Sequence, residues 1–443
     1  MRATLRAASG VGLCAAVAMA VVAGVTWLLF PRGDVVILGA AIALMLSRSR
    51  LVESWRGRVE ALVALPVLAV AVAGVGLATH VNPWLGAALF TLAMFASVWM
   101  RRFGEQGRRI GALIAVPFIT LLVTPVRVNV AGGFADVAVA VPLVAIFALI
   151  VVVAVRVGAQ AVRLIPRTEP ADPADQDPPA PSRLRPIPST RMAIQLALAV
   201  ALAWVLGLLV IPEHATSIVL SAYLVLSRNR GRADVIHTAG LRFGGALAGS
   251  LIALPVSALP GLDGWPVAAL IVALLGIGVL LRSLSYAWWA LIMTLVVTIL
   301  QQELVSAPVD LPMRVLAIAA GCLIGILVAW FVLPIRSDGV LRLRIAAVFE
   351  AVGEAWATPD ASYGPVDRAL VRLEEVAKPW RALARIPIAR ARRNGRWIAL
   401  TRQIAAARPE IPPRGALGEA RRAIREPRSL LPALERLRDN LAN

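Results

Sequence analysis

Two arginines stand inside apolar runs, where a charge is costly and by default marks a functional site. Arg242 lies in "LRFGGALAGS" and Arg314 in "LPMRVLAIAAGCLIG". A guanidinium withdrawn from water attracts an anion, and its planar fork of donors suits a carboxylate. Thr294 and Thr298, in "SYAWWALIMTLVVTIL", add hydroxyls one helical turn apart and suit the lining of a path. His214, in "IPEHATS", titrates near neutral pH and can serve a proton-coupled cycle, or it is a solvated loop histidine. Asp34, in "FPRGD", occupies the matching place in the first half of the chain. Two alternatives stay open for the arginines: Arg242 is a membrane-surface anchor or a path residue, and Arg314 pairs with Asp310 or draws an anion inward.

The chemistry that is absent narrows the function. No HExxH, no GxxxxGK[ST] and no acidic cluster spaced for a metal occurs, so neither a metal nor a nucleotide cofactor is expected, and the chain does not read as an enzyme. The cysteines Cys14 and Cys322 both lie in apolar runs and suit packing rather than a disulfide. Energy for any transport then comes from an ion gradient, a membrane potential or the substrate's own gradient.

The elements that must position these residues follow from composition. The 443 residues are 59% hydrophobic and 16% charged, where a soluble domain carries about 25% charged residues. This predicts an all-α polytopic membrane protein. Six apolar segments between 8 and 155 and six between 192 and 334 suggest twelve spans, helical because lipid offers the backbone no partners. Residues 1–30 form a span rather than a signal peptide, being longer than a signal core of about 7–15 residues. Every second connection is rich in arginine: Arg48 and Arg50, Arg101 and Arg102, Arg163 and Arg167, Arg228 and Arg230, Arg282, and Arg336 onward. By the positive-inside rule both termini are cytoplasmic. Of the 45 basic residues only Lys378 is a lysine, and a chain so rich in Arg, Ala, Val and Pro looks bacterial, which places it in an inner membrane.

The halves repeat. "LMLSRSR" ending at Arg50 matches "LVLSRNR" ending at Arg230, and "WLGAALFTLAMFASVWMR" from Trp84 matches "WPVAALIVALLGIGVLLR" from Trp265. Two parallel six-helix repeats follow, with a path between them. The expected domains are a first membrane repeat at 1–163, a Pro-rich cytoplasmic linker at 164–190, a second repeat at 191–335 and a basic helical cytoplasmic tail at 336–443. The second span of each half, 35–46 and 215–226, is unusually short, which points to the binding region unless the helices continue into their arginine loops. Gly245 with Gly249 and Gly321 with Gly325 are small-xxx-small pairs for close helix packing. The tail segment "ARARRNGRW" either touches anionic lipid or is a solvated face. Nucleic acid is not an expected partner despite the net charge of +19, and a homo-oligomer is left open.

The second half resembles a known family. "IPEH … LSRNRGRADVIHTAGLRFGGALAGSLIA", "SYAWWALIMTLVVTIL" and "MRVLAIAAGCLIGILVAWFVLP" together look like the fusaric acid resistance-like family of aromatic acid exporters, to which plant aluminium-activated malate transporters look distantly related. The resemblance covers about 190–335, with the first half a diverged copy lacking both glycine pairs. It implies efflux of small organic anions, often aromatic carboxylates, using the proton gradient. Arg242, Gly245 and Gly249 fall on the family's Arg-Gly signature, and Arg314, Gly321 and Gly325 on its last-span signature. The aromatic that often follows the Pro-x-His turn is absent from "EHATS". The rival expectations are a major facilitator-type transporter, an organic-anion channel and a non-transporting membrane scaffold.

Overall fold

The computed structural model describes residues 2–29, 33–47, 54–123, 133–162, 188–227, 231–257, 265–282, 285–305, 310–333, 337–357, 363–384, 389–407, 409 and 413–442. All regular structure among them is helical. The elements are α1 (Arg2–Leu29), α2 (Gly33–Ser47), α3 (Trp55–Val81), α4 (Pro83–Trp99), α5 (Gly104–Val123), α6 (Gly133–Ala161), α7 (Pro188–Val210), α8 (Ala215–Leu226), α9 (Arg232–Ser257), α10 (Trp265–Leu281), α11 (Tyr286–Val305) and α12 (Leu311–Phe331). Five more helices follow: α13 (Ser337–Ala357), α14 (Gly364–Ala384), α15 (Ala389–Ala406), α16 (Arg414–Ala423) and α17 (Leu430–Ala442). Single-turn 3-10 helices at Met100–Phe103 and Pro212–His214 precede α5 and α8.

Among the described residues, seven segments are long and apolar enough to cross a membrane: Gly10–Leu29, Trp55–Val81, Pro83–Phe103, Pro142–Ala161, Ser189–Val210, Arg232–Pro255 and Leu311–Phe331. Three shorter apolar helices, Leu38–Ser47, Ala269–Leu281 and Tyr286–Ile299, accompany them. Apolar side chains such as Val63, Val67, Leu209 and Leu323 stay exposed on the spans, as a lipid-facing surface requires.

The chain forms two compact units, Met1–Arg228 with Thr238–Val328, and Asn229–His237 with Ala329–Asn443. In the first unit α1 packs on α2, α6 and α10, α4 on α5 and α7, and α7 on α8. Met19, Ile42, Leu46, Leu65 and Leu113 are fully buried in its core. Phe90 meets Phe118 and Trp204 edge-on, each with ring centroids 5.9 Å apart.

Local sequence sets the ends. Asn82 closes α3 by donating its backbone N–H to the Ala78 carbonyl (2.8 Å). The same residue opens α4, its side-chain oxygen accepting from the Trp84 and Leu85 N–H groups at 3.0 and 3.3 Å, with Pro83 next in the chain, where its missing N–H costs nothing. Gly104, at φ +75°, turns the chain into α5.

The short helices end alike. Arg156 of α6 donates to the Ser47 carbonyl at the end of α2 (3.5 Å), and Arg101 donates to the Ser227 carbonyl just past α8 (3.4 Å). Each cation meets the negative end of a helix dipole. The α8 helix stops at Leu226 rather than continuing toward Arg230, while residues 48–53 after α2 lie outside the described residues. The Pro-rich stretch lies outside them up to residue 187.

The second unit is a helical bundle with its own core. Leu341, Ile345, Phe349, Trp397, Leu430 and Leu434 are buried together with Ala233 from the start of α9. Arg232 donates to the Trp330 carbonyl at 2.8 Å and lies over its ring at 5.2 Å. Arg342 donates to the Ile424 and Arg425 carbonyls, both at 3.1 Å, closing the end of α16. The expected basic segment begins α15, with Arg392 and Arg396 exposed while Asn394 and Trp397 face inward.

Candidate functional site

The site begins with four glycines. On α9, Arg242, Gly245 and Gly249 share one face of the helix, and so do Arg314, Gly321 and Gly325 on α12. A Cβ on Gly245 would stand 2.5 Å from the Ala287 carbonyl oxygen, and one on Gly249 would collide with the Leu291 carbonyl. Hydrogen in place of a side chain therefore lets α9 lie against the backbone of α11. On α12, a Cβ on Gly321 would collide with the Ile218 carbonyl, and one on Gly325 would come within 3.0 Å of Val225. The second pair seats α12 on α8.

These two close approaches bring the arginines to one residue. Arg242 Nη1 donates to the Thr294 hydroxyl at 3.4 Å, and Arg314 Nη2 donates to the Thr294 carbonyl at 3.5 Å. The threonine is held in turn by its own helix, its hydroxyl donating to the Ala290 carbonyl and the Thr298 hydroxyl donating to the Thr294 carbonyl, both at 2.8 Å. Both arginine contacts are long, beyond the usual 2.7–3.2 Å for N–H···O. Arg242, Thr294, Thr298 and Arg314 are 4%, 2%, 1% and 2% exposed, and two guanidiniums that both reach Thr294 are like charges withdrawn from water, which repel each other. Arg242 has no carboxylate partner among the described residues, and its Nε has no hydrogen-bond partner. The Asp310 carboxylate caps α12 by accepting from the Met313 N–H at 3.1 Å.

His214 is not a solvated loop residue. It is 8% exposed, ends the 3-10 turn at Pro212–His214 and serves as the N-cap of α8 without a capping bond from its side chain. The short turn folds the chain back between α7 and α8, which buries the imidazole, and neither ring nitrogen has a hydrogen-bond partner. Burial holds its pKa below the ordinary 6.5, the nearby Arg314 charge lowers it further, and Asp310 and Glu213 oppose the shift.

Asp34 sits in the first turn of α2, and its side chain lies outside the described residues. Three serines escaped the sequence reading. Ser217 and Ser221 follow His214 at helical spacing on α8, and Ser250 follows Gly249 on α9; they are 8%, 0% and 3% exposed. The Ser221 and Ser250 hydroxyls have no partner. A hydroxyl recurring every fourth residue in a short apolar helix is the signal that would have found the first two. Trp289, by contrast, is a packing residue, buried with Arg282 over its ring at 5.4 Å.

Chemically this is a set of donors: two guanidiniums, hydroxyls and an imidazole. It suits an anion. Among the described residues no group of His, Cys, Asp and Glu is placed to hold a metal ion, and Cys14 and Cys322 are free thiols.

Residues 198–348, about a third of the chain, match the family model described as fusaric acid resistance protein-like. The matched stretch holds His214, Arg242, Thr294, Thr298, Arg314 and both glycine pairs, and its family is the one the sequence motifs resemble. No curated protein and no solved structure matches the chain. The match makes the second half of the chain similar to a fusaric acid resistance protein-like family, and the long apolar helices suit a multi-pass membrane protein.

Proposed function

We propose that the protein exports small organic anions, aromatic carboxylates among them, across the bacterial cytoplasmic membrane, and that the carboxylate passes between Arg242 and Arg314 beside Thr294. The observation that carries this is the convergence of two buried guanidiniums on one threonine. Two like charges withdrawn from water are unfavourable together, and a carboxylate between them offsets both their repulsion and their desolvation. The unpartnered Nε of Arg242 and hydroxyls of Ser221 and Ser250 offer further donors.

The frame for this site is twelve spans in two parallel six-helix repeats, with both termini in the cytoplasm. The helix packing supports that frame. By the sequence repeat α4 corresponds to α10 and α1 to α7; α4 packs on α7 and α10 packs on α1. The short α2 ends on Ser47 and α8 just before Ser227, and the carbonyl of each serine receives an arginine from another helix. The charged site belongs to the second repeat.

Efflux of benzoate from loaded vesicles tests the reading. Arg242→Ala and Arg314→Ala should each lower the flux severalfold while the protein stays in the membrane. Normal efflux in both variants would remove the arginines from the mechanism.

A further inference from the structure

His214 has no part in the transport path just described, yet its surroundings give it one. The residue is 8% exposed, and both ring nitrogens are buried and unpartnered. Buried polar atoms are rarely left so, and a neutral imidazole offers one donor and one acceptor. The charged groups that act on it are Arg314 on α12, Asp310 at the cap of α12 and Glu213 in its own turn. Other titratable residues on the neighbouring helices are Arg191 in the first turn of α7, at the end away from His214, Tyr223 about two and a half turns along α8, Cys322 about two turns past Arg314 on α12, and Glu105, Arg108 and Arg109 at the start of α5, which packs on α8.

Electrostatics fixes how an anion changes this residue. A carboxylate held by Arg314 offsets the positive charge that opposes protonation of His214 and gives the imidazolium an acceptor. The bound anion therefore raises the proton affinity of His214. Linkage is reciprocal, so a proton on His214 raises the affinity for the anion by the same factor.

We propose that His214 is the proton site of the transporter, taking up a proton as the anion binds and donating a hydrogen bond to the carboxylate that Arg314 holds. The proposal rests on the anion reading of Arg242 and Arg314. It has a consequence for energetics: ligands that favour each other are not exchanged for each other. Moved together, one proton and one anion carry no net charge, so their outward movement draws on the combined concentration gradients of anion and proton, and neither on the membrane potential nor on proton-for-anion exchange at this site.

The test is calorimetry on the full-length protein in detergent, with benzoate and, separately, benzenesulfonate, a strong acid that stays ionised throughout. Binding is measured between about pH 5.5 and about pH 7.5, in buffers of different ionisation enthalpy, so that protons taken up are counted directly. The expected result is roughly tenfold tighter binding of both probes at the acid end, with proton uptake approaching one per anion. His214→Gln should bind with an affinity that is flat across the range. The count on the unsubstituted protein stands even if that variant fails to fold. Binding without proton uptake, or an unchanged pH profile in His214→Gln, overturns the proton coupling and leaves the anion site intact. A protein that binds neither probe at any pH overturns both readings.

Discussion

Arg242 and Arg314 take hold of the two oxygens of a single residue, the first by the hydroxyl of Thr294 and the second by its carbonyl. The hydroxyl can be removed without touching the carbonyl. Thr294→Val keeps the branched shape and the Arg314 contact while depriving Arg242 of its acceptor. For a long contact we expect a loss of about 1 kcal/mol, or roughly fivefold in benzoate flux. Thr91→Val, which removes a similar hydroxyl bonded back to Ala87 on α4, should leave flux unchanged. Equal effects in the two variants would mean that the hydroxyl matters only to its helix.

Helix approach is the second point of attack. Gly249→Ala places a methyl group against the Leu291 carbonyl, whereas a Cβ on the neighbouring Gly244 meets nothing within 4 Å. Thermal unfolding in detergent should show Gly249→Ala destabilised by about 1–3 kcal/mol. Gly244→Ala should be neutral or stabilising by up to about 1 kcal/mol, the difference in helix propensity. If both melt alike, the α9 and α11 contact is looser than the structure has it.

The arginines at the ends of the short helices give a third. Removing the buried Arg156 strips the Ser47 carbonyl of a charged donor, so Arg156→Ala should cost about 1–2 kcal/mol in thermal unfolding, with Arg156→Lys recovering part of it. Full stability in Arg156→Ala would show that the end of α2 needs no such cation.

Much of this site was legible before the fold was. Arg242 and Arg314 stood out because lipid makes any charge in an apolar run conspicuous, and the glycine pairs because their spacing keeps one helix face bare. Their meeting at Thr294 was not legible, since it depends on how far α9 and α12 slide along their neighbours, and that is set by backbone approach across the bundle. Arg101 and Arg156 show the same limit. Their charge could be read as a marker of membrane sidedness, but not the carbonyls of Ser227 and Ser47 that they reach. His214 went the other way: a polar turn in the sequence suggests water, and the fold closes over it.

Burial of His214 has a measurable signature in the absence of any anion. Its pKa lies below 6.5 in the folded state, so the unfolded chain binds the proton more readily. The protein should therefore have its full stability above about pH 6.5 and lose some as pH falls through the folded pKa. The difference in melting temperature between the unsubstituted protein and His214→Gln, followed from about pH 8 downward, isolates this contribution. A difference that stays constant with pH would show that His214 titrates alike in both states.

The tail bundle can be tested by itself. Trp397 is fully buried in its core while Leu343 is 48% exposed. Trp397→Ala should cost about 3–5 kcal/mol and open α13 to α17 to limited proteolysis, with Leu343→Ala close to neutral. Equal protease resistance in both would mean the bundle does not depend on that tryptophan.

The Thr294 carbonyl carries a lesson for genetics. A backbone oxygen comes with every amino acid, so the contact to Arg314 survives any substitution at position 294 that keeps α11 helical. Mutational scans there will report on Arg242 alone. Over long descent the residue can drift without forfeiting the grip on its second arginine, and only a break in the helix itself would release it.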